Sequence, residues 1–218
     1  MPSLEKKLLL HCCCAPCTLL PLETLLREGW DLSLYFYNPN IQPAEEYRLR
    51  LETLHSLLDS QFDGISLYTG LYEPALWEER VGVFGGPYPL ITDSSDYPDL
   101  LEKRKLRCAA CYRLRFEALA TFGAELGDGK GSYCLDTTLT ISPYQFIPEA
   151  REALTKSAAA QSLEAHMTDW REYYQLSIGR YRELGLYRQN SCGCRYSRQE
   201  AELERHAIRR TRSKARTS

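Results

Sequence analysis

A chain of 218 residues, 44% hydrophobic and 26% charged, carries enough apolar material to bury a core, which excludes a disordered chain and points to one globular domain, with or without an insertion. No apolar run approaches the roughly 20 residues of a membrane helix, and Lys6 and Lys7 precede only three leucines before His11, too few for a signal-peptide core, so a cytoplasmic protein with no membrane partner is expected. In that reducing compartment nine cysteines, an odd number drawn into close sets, argue against a disulfide scaffold and for metal binding or redox catalysis.

The run KLLLHC at 7–12 has the length of a strand, and Pro16 stands where a helix would begin, since its missing N–H costs nothing in a first turn. Leu19, Leu22 and Leu26 recur at helical spacing up to Gly29, a natural stop. The stretch HCCCAPC, His11 to Cys17, therefore falls on a strand-to-helix turn. DLSLYFY (31–37) alternates like a strand and NPNIQP (38–43) is a loop. Pro43 then opens a helix whose Tyr47, Leu51, Leu54 and Leu58 share one face, and ISLYT (65–69) is a third strand. This alternation implies an α/β fold, a parallel sheet flanked by helices and joined by right-handed crossovers. Such sheets hold ligands beyond the carboxyl ends of their strands, near the point where strand order reverses, which is where HCCCAPC lies.

Residues 73–81 read as a short helix, and the Gly-Gly-Pro and Ser-Ser-Asp segments within 82–96 as a long loop suited to a lid or a binding loop. Leu100 to Leu119 is helical in composition and contains RCAACYRLR. GSYCLDTTL (131–139) reads as a fourth strand, with Ser142 and Pro143 poised to start a helix, and a weaker strand runs through Ala165 to Thr168. REYYQLSIGRYRELG (171–185) is helical, LYRQNSCGC is a loop, and a last charged helix follows with Ser197 as its cap. From 205 to 218 the chain carries Arg205, Arg209, Arg210, Arg212, Lys214 and Arg216 and no acid. That is +6 in a chain whose net charge is −2, leaving −8 for residues 1–204. A single domain at 1–204 and a basic tail at 205–218 are thus expected, the tail acting as a nucleic-acid arm or as a solubilising terminus.

Seven cysteines fall in three tight groups: Cys13, Cys14 and Cys17; Cys108 and Cys111; Cys192 and Cys194. Cys12 and Cys134 read as spectators. Thiolates are soft ligands, and a four-cysteine zinc site is one reading of 13, 14, 108 and 111. Zinc knuckles, however, space their pairs by about 15 to 20 residues, whereas roughly ninety intervene here, and seven cysteines exceed the needs of one ion. Adjacent cysteines at the end of a strand, where the chain turns, suit a larger cubane better than a single ion. Cys192-Gly193-Cys194 permits close approach of two sulfurs, as a strained redox disulfide or as two ligands of one ion. Neither GxGxxG nor GxxxxGK[ST] occurs, so a mononucleotide at the first turn is not expected. Asp136, Thr137, Thr138 and Ser142 line a polar pocket or act as caps. Tyr37, Asn38 and Asn40 contact substrate or simply turn the chain, and His11 is expected to be a packed, hydrogen-bonded histidine rather than a ligand.

Five ordered segments, HCCCAPC, FYNPNIQP, RCAACYRLR, TTLTISP and LYRQNSCGCRYS, closely resemble epoxyqueuosine reductases of the QueH type over about residues 7–200. The resemblance implies a Rossmann-like parallel sheet flanked by helices, related to the adenine nucleotide alpha hydrolases. It also implies an oxidoreductase that reduces epoxyqueuosine to queuosine at the wobble position of tRNA with a GUN anticodon. This is the last step of queuosine biosynthesis, run without cobalamin and supplied by an external electron donor. Carried over by motif, Cys13, Cys14, Cys108 and Cys111 match the ligands of a 4Fe-4S cluster. Cys192 and Cys194 match a pair that is either a redox disulfide or a ligand set for a neighbouring mononuclear iron. Cys17 matches a position that is Asp in some relatives and completes that second, catalytic site. Cys12 matches no assigned role, and Ser191 stands where relatives often have Tyr.

The implied chemistry suits these residues. Opening an epoxide to an alkene and water takes two electrons and two protons, a cluster passes electrons one at a time, and a second redox element or Lewis-acidic metal then has a use. An anticodon-loop base can be splayed out without melting a duplex, and the tail together with Arg104, Lys105 and Arg107 is expected to hold phosphates. The rival classes are a zinc-stabilised RNA-binding module, which would be colourless, and a ferredoxin-type electron carrier, which would need no cysteines beyond its cluster.

Overall fold

Three leucines in a row, Leu8 to Leu10, are completely buried, as a strand covered on both faces requires. The computed structural model describes residues 7–90, 97–127 and 133–217, with side chains through Arg210. Its strands β1 (Lys7–His11), β2 (Asp31–Phe36), β3 (Ser66–Thr69), β4 (Cys134–Thr137) and β5 (Glu164–Ala165) form one parallel sheet in the order β3-β2-β1-β4-β5. The chain thus steps outward from β1 to β3 and returns to pair β4 with the other side of β1. The expected α/β fold is the observed one: a parallel, Rossmann-like sheet between layers of helices.

Leu8 and Leu10 face helices α1 (Ala15–Arg27), α2 (Ala44–Gln61) and α6 (Tyr174–Glu183), while Leu9 faces α4 (Tyr97–Leu126) and α5 (Ile147–Ala160). In α1 the buried stripe is Leu19, Leu22 and Leu25, and Leu26 turns outward. β2 is buried from Leu32 onward rather than on alternate residues, because the helical layers cover both sides of the inner strands. A third apolar cluster lies off the sheet, where α3 (Pro74–Arg80), α4 and the start of α7 (Arg195–Thr217) meet through Trp77, Val81, Ala110, Leu114 and Tyr196.

Several boundaries differ from the sequence reading for identifiable reasons. β4 stops at Thr137 because that side chain accepts the Leu139 N–H and turns 138–141 into a 3-10 helix; residues 131 and 132 of the expected strand lie outside the described residues. The next helix starts at Ile147, with Pro148 in its first turn, and not at Ser142-Pro143. The strand expected over 165–168 shrinks to Glu164–Ala165 because Asp136, not a strand partner, takes the backbone of Thr168. α4 is longer than expected at both ends. The 82–96 loop contains a 3-10 turn at Gly82–Phe84, and its residues 91–96 lie outside the described residues. Ser197 is not a cap: α7 begins two residues earlier, and the Ser197 hydroxyl donates back to the Cys194 carbonyl (2.8 Å) and accepts from the Gly193 N–H (3.2 Å). α7 runs across position 204/205, so the boundary of the basic tail is one of charge inside a helix; the side chains of Arg212, Lys214 and Arg216 lie outside the described residues. Among the described residues no helix is long and apolar enough to cross a membrane.

Asp136 and Thr137 do not line an open pocket. Both are fully buried, and the Asp136 carboxylate accepts the Thr137 N–H (2.6 Å), the Thr168 hydroxyl (2.8 Å) and the Thr168 N–H (3.2 Å), with His166 Nδ1 at 3.0 Å. It joins the end of β4 to the segment after β5. Replacing Asp136 by Ala strands those donors in the interior, and a loss of about 3 kcal/mol in urea unfolding of the full chain is expected; a loss below about 1 kcal/mol would show that the carboxylate is not what ties the segment down.

Candidate metal centre

The end of β1 sets the site. The backbone remains extended at Cys14 (φ −173°, ψ 156°) and turns helical at Ala15, while the Thr18 hydroxyl donates to the Cys14 carbonyl (2.9 Å) and fixes the first turn. This strand-to-helix change brings the sulfurs of Cys13, Cys14 and Cys17 within 4.8 Å of one another, a group able to hold a metal, with Cys13 and Cys14 sulfurs 3.7 Å apart. Cys12, on the other side of the strand, is fully buried with its thiol donating to the Tyr35 carbonyl (3.5 Å), and so belongs to the core. Cys134 sits in β4, away from these groups in the fold.

Cys108 and Cys111 share one face of α4 by their i, i+3 spacing. Cys13 and Cys108 pack against the same apolar cluster, Cys111 and Cys194 meet in another, and the indole N–H of Trp77 donates to the Cys111 sulfur at 3.4 Å. The Cys192–Cys194 turn depends on Gly193, whose φ of +113° suits glycine; an added Cβ would also come within 3.0 Å of Ile41 and 3.1 Å of Arg50. Arg50, 2% exposed, donates to the carbonyls of Cys192 (3.0 Å) and Ser191 (3.2 Å) and pairs with Glu46 (2.7 Å), while the Cys194 sulfur accepts the Ser197 N–H at 3.3 Å. Cysteines of all three groups therefore come together near the carboxyl end of β1, where strand order reverses.

A cation lies among them. Arg115 is fully buried; it donates to the Asn38 side-chain oxygen, and its Nε and Nη1 have no hydrogen-bond partner. Among the described residues no carboxylate pairs with it. Instead the charges it feels are those of Cys111, Cys13 and Cys192. A guanidinium taken out of water without an anion is costly, so the site is built for negative charge on sulfur. Burial raises the thiols of Cys14, Cys108 and Cys194 and lifts Cys192 to about 12. Hydrogen bonding from Cys14 and then Cys17 holds Cys13 well below the usual thiol range, with Arg115 acting in the same direction. Metal-free, most of these sulfurs keep their protons; a thiophilic metal group that displaces them would supply the anion Arg115 lacks. The donor set and the orphaned cation both fit such a group.

Other expected site residues take structural places. His11 is the packed histidine anticipated: fully buried, with Nδ1 3.0 Å from the Thr137 hydroxyl, edge-on to Phe116, and shifted by burial to about 3, hence neutral at pH 7. Asn38 is fully buried and donates to the Cys12 carbonyl (2.9 Å), so it braces Arg115 rather than facing solvent. Tyr37 donates to Glu73 (3.0 Å), and Asn40 is buried. The assignment of Arg104 and Arg107 to phosphate binding is corrected. Arg107 pairs with Glu200 (2.7 Å) between the rings of Tyr88 and Tyr196, and Arg104 pairs with Glu204 (2.8 Å), so both bolt α7 onto α4. Lys105 pairs with Glu102 at the surface.

Sequence reasoning passed over Arg50, Trp77, Arg115 and Gln189, whose Nε2 lies 2.6 Å from the Cys14 sulfur. Two of them left a signal. Arg115 follows Cys111 by four and Cys108 by seven, on the same helical face, and Arg50 interrupts the apolar face of α2 between Tyr47 and Leu54. Trp77 and Gln189 reach the site only through tertiary packing.

A parallel α/β sheet whose switch point carries cysteines rather than a glycine-rich phosphate loop places there a thiol group able to hold a metal. The sequence model of the family "Epoxyqueuosine reductase QueH" matches residues 8–200. Relatives of that name include those of Dehalococcoides mccartyi (33% identical, 89% of this chain and 93% of the relative), Thermotoga maritima (32%, 91% and 93%) and Acinetobacter baylyi (31%, 90% and 83%). The chain belongs to the QueH epoxyqueuosine reductase family and is an oxidoreductase.

A cation beside a thiol stabilises the thiolate and lowers the thiol pKa, so its removal raises that pKa and lowers the reactive fraction. In metal-free, fully reduced protein, Arg115→Met is expected to slow alkylation of Cys13 and Cys192 severalfold near neutral pH, with Arg115→Lys in between. Peptide-resolved mass spectrometry reads the rates; equal rates in all three proteins would mean the guanidinium is not paired with sulfur.

Proposed function

We propose that this protein reduces epoxyqueuosine to queuosine at the wobble position of tRNA with a GUN anticodon, in the cytoplasm, without cobalamin and with electrons from an external donor. The observation that carries this reading is that cysteines from three distant segments, Cys13, Cys111 and Cys192, act on the buried cation of Arg115 beside the close triad of Cys13, Cys14 and Cys17, in a chain of this family.

In this reading Cys13, Cys14, Cys108 and Cys111 hold a 4Fe-4S cluster, and Cys17, Cys192 and Cys194 form the catalytic second site, as ligands of a mononuclear iron or, for the last two, as a redox dithiol. The cluster supplies electrons singly. The overall change breaks both C–O bonds of the epoxide, consumes two electrons and two protons, and releases water with formation of the alkene. The protein's own groups do the positioning. Trp77 and Gln189 aim N–H donors at the sulfurs of Cys111 and Cys14, which restrains those ligands and favours their charged form. Arg115 offsets negative charge without giving up a proton. Arg50 grips the carbonyls of Ser191 and Cys192, so the Cys192–Cys194 turn keeps its sulfurs toward α4. A base in an anticodon loop can leave its stack at small cost and enter such a crevice.

One observation favours a second division of the same sulfurs. The tightest triad is Cys13, Cys14 and Cys17, so Cys17 is also placed to serve the cluster in exchange for a cysteine of α4.

Anaerobic reconstitution with iron and sulfide separates these cases. Cys13→Ala and Cys108→Ala are expected to lose most of the visible absorbance and all turnover on tRNA; retention of full iron and sulfide by both would refute the ligand assignment. Loss of absorbance in Cys17→Ala with retention in Cys108→Ala would favour the second division.

Cys192→Ala and Cys194→Ala are expected to keep the cluster spectrum while epoxide reduction falls by about two orders of magnitude or more. A second iron predicts more metal than one cluster needs, lost in these variants; a dithiol predicts cluster iron alone and a disulfide visible by mass after oxidation. Reduction at the parental rate by either variant would leave the pair a structural role only.

A further inference from the structure

Beside the Cys192–Cys194 turn, on the side away from α4, lies a polar cavity of about 210 Å³ between the first turn of α2, residues 187–191 and the first turns of α7. Glu46, Tyr187, Asn190, Ser191, Arg198 and Arg205 line it. Tyr187, Asn190 and Ser191 lie within the LYRQNSCGCRYS segment, yet the chemistry proposed for its cysteines does not use the cavity.

Its charge is one-sided. Glu46 is spent: it pairs with buried Arg50 at 2.7 Å and accepts the Tyr187 hydroxyl at 2.7 Å. Arg198 and Arg205 have no carboxylate partner among the described residues; Arg198 donates only a long bond to the Gln42 carbonyl (3.4 Å), and neighbouring Glu202 pairs with neither. Both guanidinium groups are exposed and line one space, with the small Ala201 between them leaving it open. Two unpaired arginines together with the amide of Asn190 and the hydroxyl of Ser191 make a donor set for the oxygens of a phosphate.

The surroundings select the kind of phosphate. Arg198, Arg205 and Arg209 are spaced i, i+7 and i+11 on α7, which at about 3.6 residues per turn returns them to one side of the helix, roughly 10 Å and 16 Å along its axis. In the sequence Arg212 and Arg216 continue the same spacing. A row of cations leading out of a cavity suits an extended polyanion rather than a single small anion. At its inner end the cavity wall is Ser191, next to Cys192, and the carbonyls of both are held by Arg50, the partner of Glu46 in the same wall.

We infer that this cavity is a backbone-phosphate subsite for the RNA strand, and that the arginine row of α7 sets the register that delivers the neighbouring base to the cysteine crevice. The inference rests on the proposed RNA substrate. Phosphate contacts of this kind fix position and carry no sequence information, so they raise affinity for any strand and leave the reading of the base to the crevice.

The test is binding and turnover of an epoxyqueuosine-containing anticodon stem-loop by the reconstituted enzyme, with Arg198→Gln and Arg205→Gln. Each is expected to weaken binding about fivefold or more at low salt, to flatten the salt dependence by about one counterion, and to raise KM while kcat stays within about twofold and the visible spectrum is unchanged. Asn190→Asp, which adds negative charge at the rim and leaves both arginines in place, is expected to weaken binding likewise; Lys156→Gln, on α5, is a charge-matched control expected to change nothing. Parental affinity and salt slope in both arginine variants would overturn the inference. So would displacement of the stem-loop by micromolar AMP in the parental enzyme but not in the variants, which would make the cavity a mononucleotide site. If the parental enzyme neither binds nor reduces the stem-loop, it is the proposed RNA substrate that fails, a result separate from either of these.

Discussion

A guanidinium with no carboxylate beside it, wholly out of water, is the interaction on which the rest of this structure depends. Arg115 gives one hydrogen bond to Asn38 and otherwise faces sulfur. An isolated buried cation costs several kcal/mol, and negative charge on the cysteines between the sheet end, α4 and the 192–194 turn offsets that cost. Two further buried arginines support the arrangement in a different manner. Arg50 and Arg107 each have a carboxylate partner, Glu46 and Glu200, and use their remaining donors on carbonyls of the flanking loops. They are fasteners for the backbone, whereas Arg115 is the counter-charge of the centre itself.

The sheet explains why such a centre forms where it does. In a parallel sheet of order β3-β2-β1-β4-β5, the connections after β1 and β4 leave in opposite directions and open a crevice. Folds of this type often fill that crevice with backbone N–H groups that bind phosphate. Here Cys13 and Cys14 occupy the turn and Pro16 removes one of the free amides of the helix start, so the turn presents thiols in place of amide donors. The α4 cysteines reach the same spot because α4 packs across the face of the sheet occupied by Leu9. The 192–194 turn reaches it because α7 is bolted to α4 through Glu200 and Glu204.

This anchoring also divides the charges of α7. Glu200 and Glu204 point inward to Arg107 and Arg104, while Arg198, Arg205 and Arg209 are exposed. A helix with a net excess of arginine thereby turns two of its three acids, Glu200 and Glu204, to the body and leaves these arginines to solvent. The same helix whose first residues pack beside the cysteines continues outward with Arg198, Arg205 and Arg209 exposed.

How far the sequence alone reached follows from which forces act locally. The alternation of strands and helices, the helix start at Pro16 and the burial of His11 were legible, because apolar runs, proline and glycine act within a few residues. The three cysteine groups and the family resemblance were legible because their chemistry is written in residue types and close spacing. The end of β4 at Thr137, the two-residue β5 and the use of Asp136 as an internal tie were not, since a side chain competed with the backbone ladder for donors across some thirty residues of sequence. Nor did Arg104 and Arg107 read as anchors: their partners lie about a hundred positions away, and a surface arginine and a paired one look alike in a sequence. The sequence by itself determined which sulfurs are available and that a parallel sheet would present the first of them at its carboxyl edge. Only the tertiary structure decided that all three groups meet around one unpaired cation, because the cost of burying that charge exists only once distant segments have closed over it.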